Sequence, residues 1–294
     1  MTPRRVSVPV PGGELVALTW GPEEGPLAVL LHGFPDSAWT WRKLAPALVG
    51  QGWRVVAPFT RGYAPSSVPS DGSYHLGALM ADAVAVHSAL GGPGSVVVGH
   101  DWGALTANAL GAHPDSPFTA VVSMAVPPID AISPPKDPLL LLGQLRRSWY
   151  IGFNQLPFVS DRALRRLVPK LWRDWSPGYD ADEDVRLALE AMLGRESSVL
   201  GYYRAMARPF PPPKAYRRWH TTWRGIPVVP TLYLHGADDG CLSPALTTGV
   251  GDRLPPGSAS AVLPDAGHFL HLEQPDAVAS RVLDFLDSHR AAAR

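Results

Sequence analysis

Cysteine is almost missing from this chain: Cys241 is the only one among 294 residues. A single thiol excludes an intramolecular disulfide framework and any metal site built from cysteines alone. Charge of one sign is also missing, because 26 basic side chains are matched by 26 acidic ones. Without a net positive field the chain lacks the electrostatic footprint that duplex binding needs, so nucleic acid is not an expected partner. Lysine is scarce, with four residues (Lys43, Lys136, Lys170 and Lys214) against twenty-two arginines, a compositional bias rather than a functional signal. No apolar run nears the roughly eighteen residues of a membrane span. The basic start, Met1–Val10, leads into no apolar stretch of the kind a secretion signal carries. A soluble, cytoplasmic globular protein with no membrane insertion is the expectation, and a homo-oligomer is left open. Glycine and proline make up about a fifth of the chain, short of the roughly 25–30% that marks disorder.

Hydrophobic residues account for 46% of the chain, enough to bury a sizeable core. Short apolar or β-branched runs recur at Leu15–Trp20, Leu27–Leu31, Trp53–Ala57, Ser95–Val98, Thr119–Met124, Val229–Leu234 and Ser258–Leu263. Several lack alternation, as strands covered on both faces do. Helical patterns lie among them at Trp39–Val49, Leu76–Leu90, Ala104–Ala112 and Pro275–His289. Strand–helix alternation of this kind predicts a mostly parallel, doubly wound α/β sheet. The alternation stops near Pro127 and resumes near Pro227, with Pro134-Pro135 near the entry and Pro211–Pro213 near the exit. The intervening stretch reads as helical. In one segment Leu164, Leu167, Val168, Leu171, Trp172 and Trp175 share a face, and Arg165, Arg166, Lys170 and Arg173 lie off it. The expected organisation is a core of residues 1–127 and 227–294, with residues 128–226 inserted as a helical cap.

The stretch that carries most chemical information is Ser95-Val-Val-Val-Gly-His-Asp101-Trp-Gly-Ala104. An apolar strand runs into small–X–Asp–X–small–small and then into a helix. Such a turn holds its central residue under strain, at the sheet's C-terminal edge and at a helix N-terminus. Serine is the usual occupant; here it is Asp101. Alkylating a serine hydroxyl at saturated carbon gives an ether that water does not readily cleave. Alkylating a carboxylate gives an ester, which oxyanion-binding amides and activated water can hydrolyse. Asp101 therefore points to displacement at an sp3 carbon. The competing reading is that Asp101 only caps the helix beginning near Trp102.

Leu30-Leu-His32-Gly33-Phe34-Pro35 follows another apolar run. Gly33 permits a tight turn, and the Phe34 and Trp102 N–H groups can form a two-donor oxyanion hole. His32 reads as a structural hydrogen-bonding residue. Downstream, Gly236-Ala-Asp238-Asp239 follows a strand run, and Gly267-His268-Phe269 follows the last one. The chain order is nucleophile, acid, histidine. His268 is the expected general base on water, and Asp239 the carboxylate that orients it, with Asp238 as the fallback. His271 is the competing histidine, and Cys241 lacks the context of a nucleophile.

Taken together, His-Gly-Phe-Pro, Gly-His-Asp-Trp-Gly, Gly-Ala-Asp-Asp and Gly-His-Phe resemble the α/β-hydrolase-fold epoxide hydrolases over nearly the whole chain. The Asp-centred turn followed by Trp is shared with the haloalkane dehalogenases, and fluoroacetate-type dehalogenases usually carry Arg where this chain has Trp102. The resemblance implies the α/β-hydrolase fold, a small apolar epoxide and water as reaction partners, no cofactor, and two cap tyrosines that donate to the opening oxygen. One such tyrosine typically precedes a Gln-x-Pro, matched here by Tyr150 ahead of Gln155-Leu-Pro157. The other typically precedes an Arg, and Tyr202-Tyr203-Arg204 points to Tyr203. Adjacent helical residues diverge by about 100°, so Tyr202 and Tyr203 cannot both face one pocket. Dehalogenases usually place Asn where this chain has Phe34, which cannot donate from its side chain. Phe59 and Ala64-Pro65 depart from the epoxide hydrolase pattern, in a segment more structural than catalytic. Rival readings are a dehalogenase using the same aspartate and a non-enzymatic ligand receptor on the same fold.

Overall fold

A computed structural model describes residues 1–133, 137–208 and 211–292. The Pro134-Pro135 pair at the expected cap entry lies outside the described residues. Eight strands form one sheet: β1 (Arg4–Val10), β2 (Gly13–Trp20), β3 (Leu27–Leu31), β4 (Arg54–Pro58), β5 (Val96–His100), β6 (Ala120–Met124), β7 (Thr231–Gly236) and β8 (Ala259–Leu263). Their order is β1-β2-β4-β3-β5-β6-β7-β8, antiparallel as far as β4 and parallel from there on. Every residue of β3, β5, β6 and β7 is buried, which is why these runs show no alternation. At the edge, β8 is largely exposed. Strand β1 is not among the expected strands; it contains Pro9, which an edge strand tolerates where the missing N–H leaves no ladder bond unmade.

Twelve α-helices follow among the described residues: α1 (Ala45–Gly50), α2 (Leu76–Leu90), α3 (Trp102–Ala112), α4 (Pro138–Arg147), α5 (Trp149–Phe153), α6 (Val159–Trp175), α7 (Asp182–Met192), α8 (Glu196–Val199), α9 (Gly201–Ala207), α10 (Arg217–His220), α11 (Leu270–Glu273) and α12 (Pro275–Ala292). Helices α2 and α3 pack together on the sheet, and so do α1 and α12. The single helix expected over Trp39–Val49 is instead a 3-10 turn, Ala38–Arg42, followed by α1. Pro46 explains the break, since it has no N–H to continue a helix and is tolerated only in a first turn.

Between β6 and β7 the described residues hold helices and no strand. Helix α6 buries Leu164, Leu167, Val168, Leu171, Trp172 and Trp175, the face anticipated from the sequence. Its C-terminal end meets the sheet's C-terminal edge. The Trp172 indole N–H donates to the Pro35 carbonyl at 2.9 Å, and its ring stacks on Phe269 with centroids 3.5 Å apart. The Trp175 carbonyl accepts from the His268 and Gly240 N–H groups, at 3.0 and 3.1 Å.

Candidate active site

The chain leaving β3 turns to β4 on one side and the chain leaving the adjacent β5 turns to β6 on the other, so the two C-terminal exits run in opposite directions. Open α/β sheets present their crevice at such a switch point. The loop after β3 carries Phe34, and the turn after β5 carries Asp101. Asp101 has φ 53°, a strained value for a residue with a Cβ. Small neighbours make the turn possible: a Cβ on Gly99 would overlap the Gly103 backbone, and one on Gly103 would overlap the Leu31 carbonyl. At Gly33 a Cβ would overlap the Asp101 carboxylate itself.

Asp101 occupies the N-cap position of α3, but its side chain makes no capping bond there. Instead Oδ1 accepts the Phe34 N–H at 2.8 Å. The other oxygen, Oδ2, lies 3.7 Å from Nε2 of His268. That Nε2 is buried and has no hydrogen-bond partner among the described residues. On the far side of the ring, Nδ1 lies 2.9 Å from Asp239 Oδ2 and donates to it. Asp239 is positioned in turn by the Cys241 and Leu242 N–H groups, which donate to its Oδ1 at 2.7 and 3.0 Å. Asp238 is exposed and takes no part.

Burial by itself lowers the His268 pKa, but the Asp239 and Asp101 carboxylates outweigh it and push it up to about 10. The two carboxylates thus favour the protonated ring. The competing histidine is elsewhere: His271 Nε2 meets Thr40 Oγ1 at 2.5 Å, and its ring packs on Trp41. His32 is structural as anticipated, its Nε2 accepting the Thr60 N–H and its Nδ1 donating to the Gly33 carbonyl.

Both expected tyrosines converge on this crevice. The Tyr203 ring packs edge-on against Phe34, Trp102 and Tyr150, with centroids 5.2 to 5.6 Å apart. Its hydroxyl is buried, and no described group completes a hydrogen bond of normal geometry to it. Tyr150 packs against Trp175, and its hydroxyl reaches Cys241 Sγ at 3.5 Å. Burial first, and then nearby groups including Asp101, raise both phenols well above their ordinary pKa. Both are therefore O–H donors. Tyr202 turns the other way and donates to the Arg61 carbonyl at 2.7 Å.

Two neighbours of the triad are not anticipated by the sequence reading. His235, at the end of β7, lies 3.5 Å from Asp239 Oδ2 while its Nε2 donates to the Leu242 carbonyl. Burial lowers its pKa, so it contributes no fixed charge. Trp175 stands edge-on to His268, at 5.0 Å between centroids. The His-Gly-Ala-Asp-Asp run held the signal for the first; the second needed tertiary structure.

Epoxide hydrolase A of Mycobacterium tuberculosis is 29% identical over 315 aligned residues, covering 94% of this chain and 94% of its own. Among solved structures, Epoxide Hydrolase A from Mycobacterium thermoresistibile superposes with a TM-score of 0.74 at 26% identity, covering 97% of this chain and 98% of that one. A haloalkane dehalogenase variant from Bradyrhizobium elkanii superposes with a TM-score of 0.77 at 21% identity, covering 99% and 98%, a likeness of fold alone. Residues 26–275 match the family model described as alpha/beta hydrolase fold, and the chain belongs to that family.

Proposed function

We propose that the chain is an epoxide hydrolase that opens a small apolar epoxide to a vicinal diol through an ester on Asp101. The observation that carries the reading is the placement of Asp101: held at Oδ1 by the Phe34 amide, and facing His268 from Oδ2. In the first step Oδ2 attacks an epoxide carbon and the carbon–oxygen bond of the ring breaks. Tyr150 and Tyr203 hydrogen-bond the departing oxygen and supply its proton, a role that needs phenols still protonated at working pH.

Forming the ester removes the Asp101 charge. With it goes one of the two carboxylates that hold the proton on His268, so the imidazole pKa falls and burial opposes the charged form. The proton shed there balances the one taken up by the alkoxide. Neutral His268, oriented by Asp239, then takes a proton from water, and the hydroxide adds to the ester carbonyl. The Phe34 and Trp102 amides hold the resulting oxyanion, each such donor being worth about 3–4 kcal/mol. The diol leaves with the former Oδ2, and the carboxylate keeps the oxygen from water. No step calls for a cofactor.

In this account residues 128–226 act as the cap that brings Tyr150 and Tyr203 over the sheet edge. A hollow lined by Leu76, Leu105, Met206 and Trp223, with His75, Arg208 and His220 as its polar members, shares its Trp102 wall with the site, and its apolar part suits an apolar substituent on the epoxide. No helix among the described residues is long and apolar enough to cross a membrane. A cytoplasmic location is part of the same proposal. Incubation with a styrene-oxide-like epoxide and, separately, a bromoalkane tests the reaction class. Diol from the first is expected; bromide from the second without diol from the first would replace this reading with a dehalogenase.

A further inference from the structure

Behind the imidazole base lies a second buried cluster that the hydrolytic steps do not use. Asp36 comes from the loop after β3, His100 is the last residue of β5, and His271 belongs to α11. One ligand atom of each lies within 4.8 Å of the other two. Asp36 Oδ2, His100 Nδ1 and His271 Nδ1 are all buried, and all lack a hydrogen-bond partner among the described residues. The three residues are at most 2% exposed.

The remaining atoms of each side chain explain what these three present. His100 donates from Nε2 to the His268 carbonyl at 2.9 Å, which leaves a lone pair on Nδ1. His271 Nε2 pairs with Thr40 Oγ1, and in the tautomer that donates to this hydroxyl its Nδ1 is also a lone pair. Asp36 Oδ1 accepts the Ser37 N–H at 2.7 Å, and Oδ2 faces the two rings. In that tautomer, with Asp36 ionised, three acceptors converge. A proton on Asp36 satisfies only one of the two ring nitrogens, and burying an uncompensated carboxylate is costly. A divalent cation satisfies all three. Histidines whose second nitrogen is tied to a protein oxygen are the form in which metals are ligated.

We propose that Asp36, His100 and His271 bind one transition-metal ion of the zinc class, as a structural clamp. The donor set of two imidazoles and one carboxylate suits zinc, with water as a fourth ligand. The three ligands sit on the segments that carry the oxyanion amide, the nucleophile and the base, so a shared ion braces Phe34, Asp101 and His268 against one another. The clamp takes no part in the reaction and does not depend on which substrate the crevice accepts.

The test measures metal on the purified full-length chain, expressed in zinc-supplemented medium and dialysed, by elemental mass spectrometry. About one zinc per chain is expected. His271→Gln and Asp36→Asn should each lower retention by about tenfold or more, and Cys241→Ser should leave it unchanged. The last variant matters because Asp239, Cys241 and His268 also lie within ligating reach of one another. Cobalt in place of zinc gives a second measure on the unaltered chain: visible d–d bands without sulfur-to-metal charge transfer are expected. A wild-type chain that retains no metal, or metal lost only with Cys241, or a thiolate charge-transfer band, overturns the proposal.

Discussion

Tyr202 and Tyr203 are neighbours on α9; the Tyr202 hydroxyl is tied to the Arg61 carbonyl, and that of Tyr203 has no hydrogen bond of normal geometry among the described residues. Tyr203→Phe should lower kcat/KM for epoxide opening by about 10²-fold, the usual worth of a positioned proton donor. Tyr202→Phe should instead cost about 1 kcal/mol of stability, from the lost bond to the Arg61 carbonyl. Steady-state kinetics alongside denaturant melts separate the two outcomes; equal kinetic losses would contradict the division. His268 carries a pH signature with a definite sign. Its folded pKa, about 10, stands above the ordinary 6.5, so its contribution to stability is complete below about 6.5 and is lost as pH rises through 10. Between pH 7 and 10 the melting midpoint of the wild type should fall more steeply than that of His268→Gln. Parallel slopes would show that the ring is not held charged between Asp239 and Asp101.

At the level of elements, the turn between β5 and α3 and the loop after β3 depend on glycines that leave room for each other. Gly33→Ala places a methyl on the Asp101 carboxylate; the chain should fold yet lose more than about 10²-fold in kcat, since the nucleophile must move. Gly103→Ala puts its methyl against the Leu31 carbonyl and should cost stability by roughly 1–3 kcal/mol or more, read as a lowered denaturation midpoint. These two elements were also the most legible parts of the sequence, because close packing permits few residue types there. The parallel strands were readable for a related reason: burial on both faces leaves unbroken apolar runs. Strand β1 was not: it is largely exposed, so it shows no apolar run, and it contains a proline that only an edge strand accommodates. The helix split at Pro46 shows the same limit, as a proline is a start or a stop depending on the turn it falls in. Asp239 could be preferred to Asp238 from sequence; its burial, its two backbone donors and its bond to His268 Nδ1 separate them in the fold. His235 and Trp175 came from tertiary packing, which no local spacing records.

Across the whole molecule, α6 joins the helices between β6 and β7 to the sheet's C-terminal edge through Trp172 and the Trp175 carbonyl. Trp172→Ala should cost about 3–5 kcal/mol, the usual loss for a buried aromatic, and reduce turnover with it, because the loops carrying Pro35 and His268 lose a common support. A stability loss with unchanged turnover in the folded fraction would show that α6 packs on the site without positioning it. The buried Arg61–Asp82 pair, 2.6 Å apart, is a different kind of tie: Arg61 lies in the segment where Phe59 and Ala64-Pro65 break the expected pattern, and its bond to Asp82 holds β4's exit to α2. The account as a whole depends on Asp101 forming a bond to carbon. Its most direct test is one turnover of an epoxide in heavy-oxygen water, with enzyme in excess. The account predicts a diol that carries no label from solvent and an Asp101 peptide heavier by one labelled oxygen; label in the first-turnover diol, with an unlabelled peptide, would mean that water opens the ring directly.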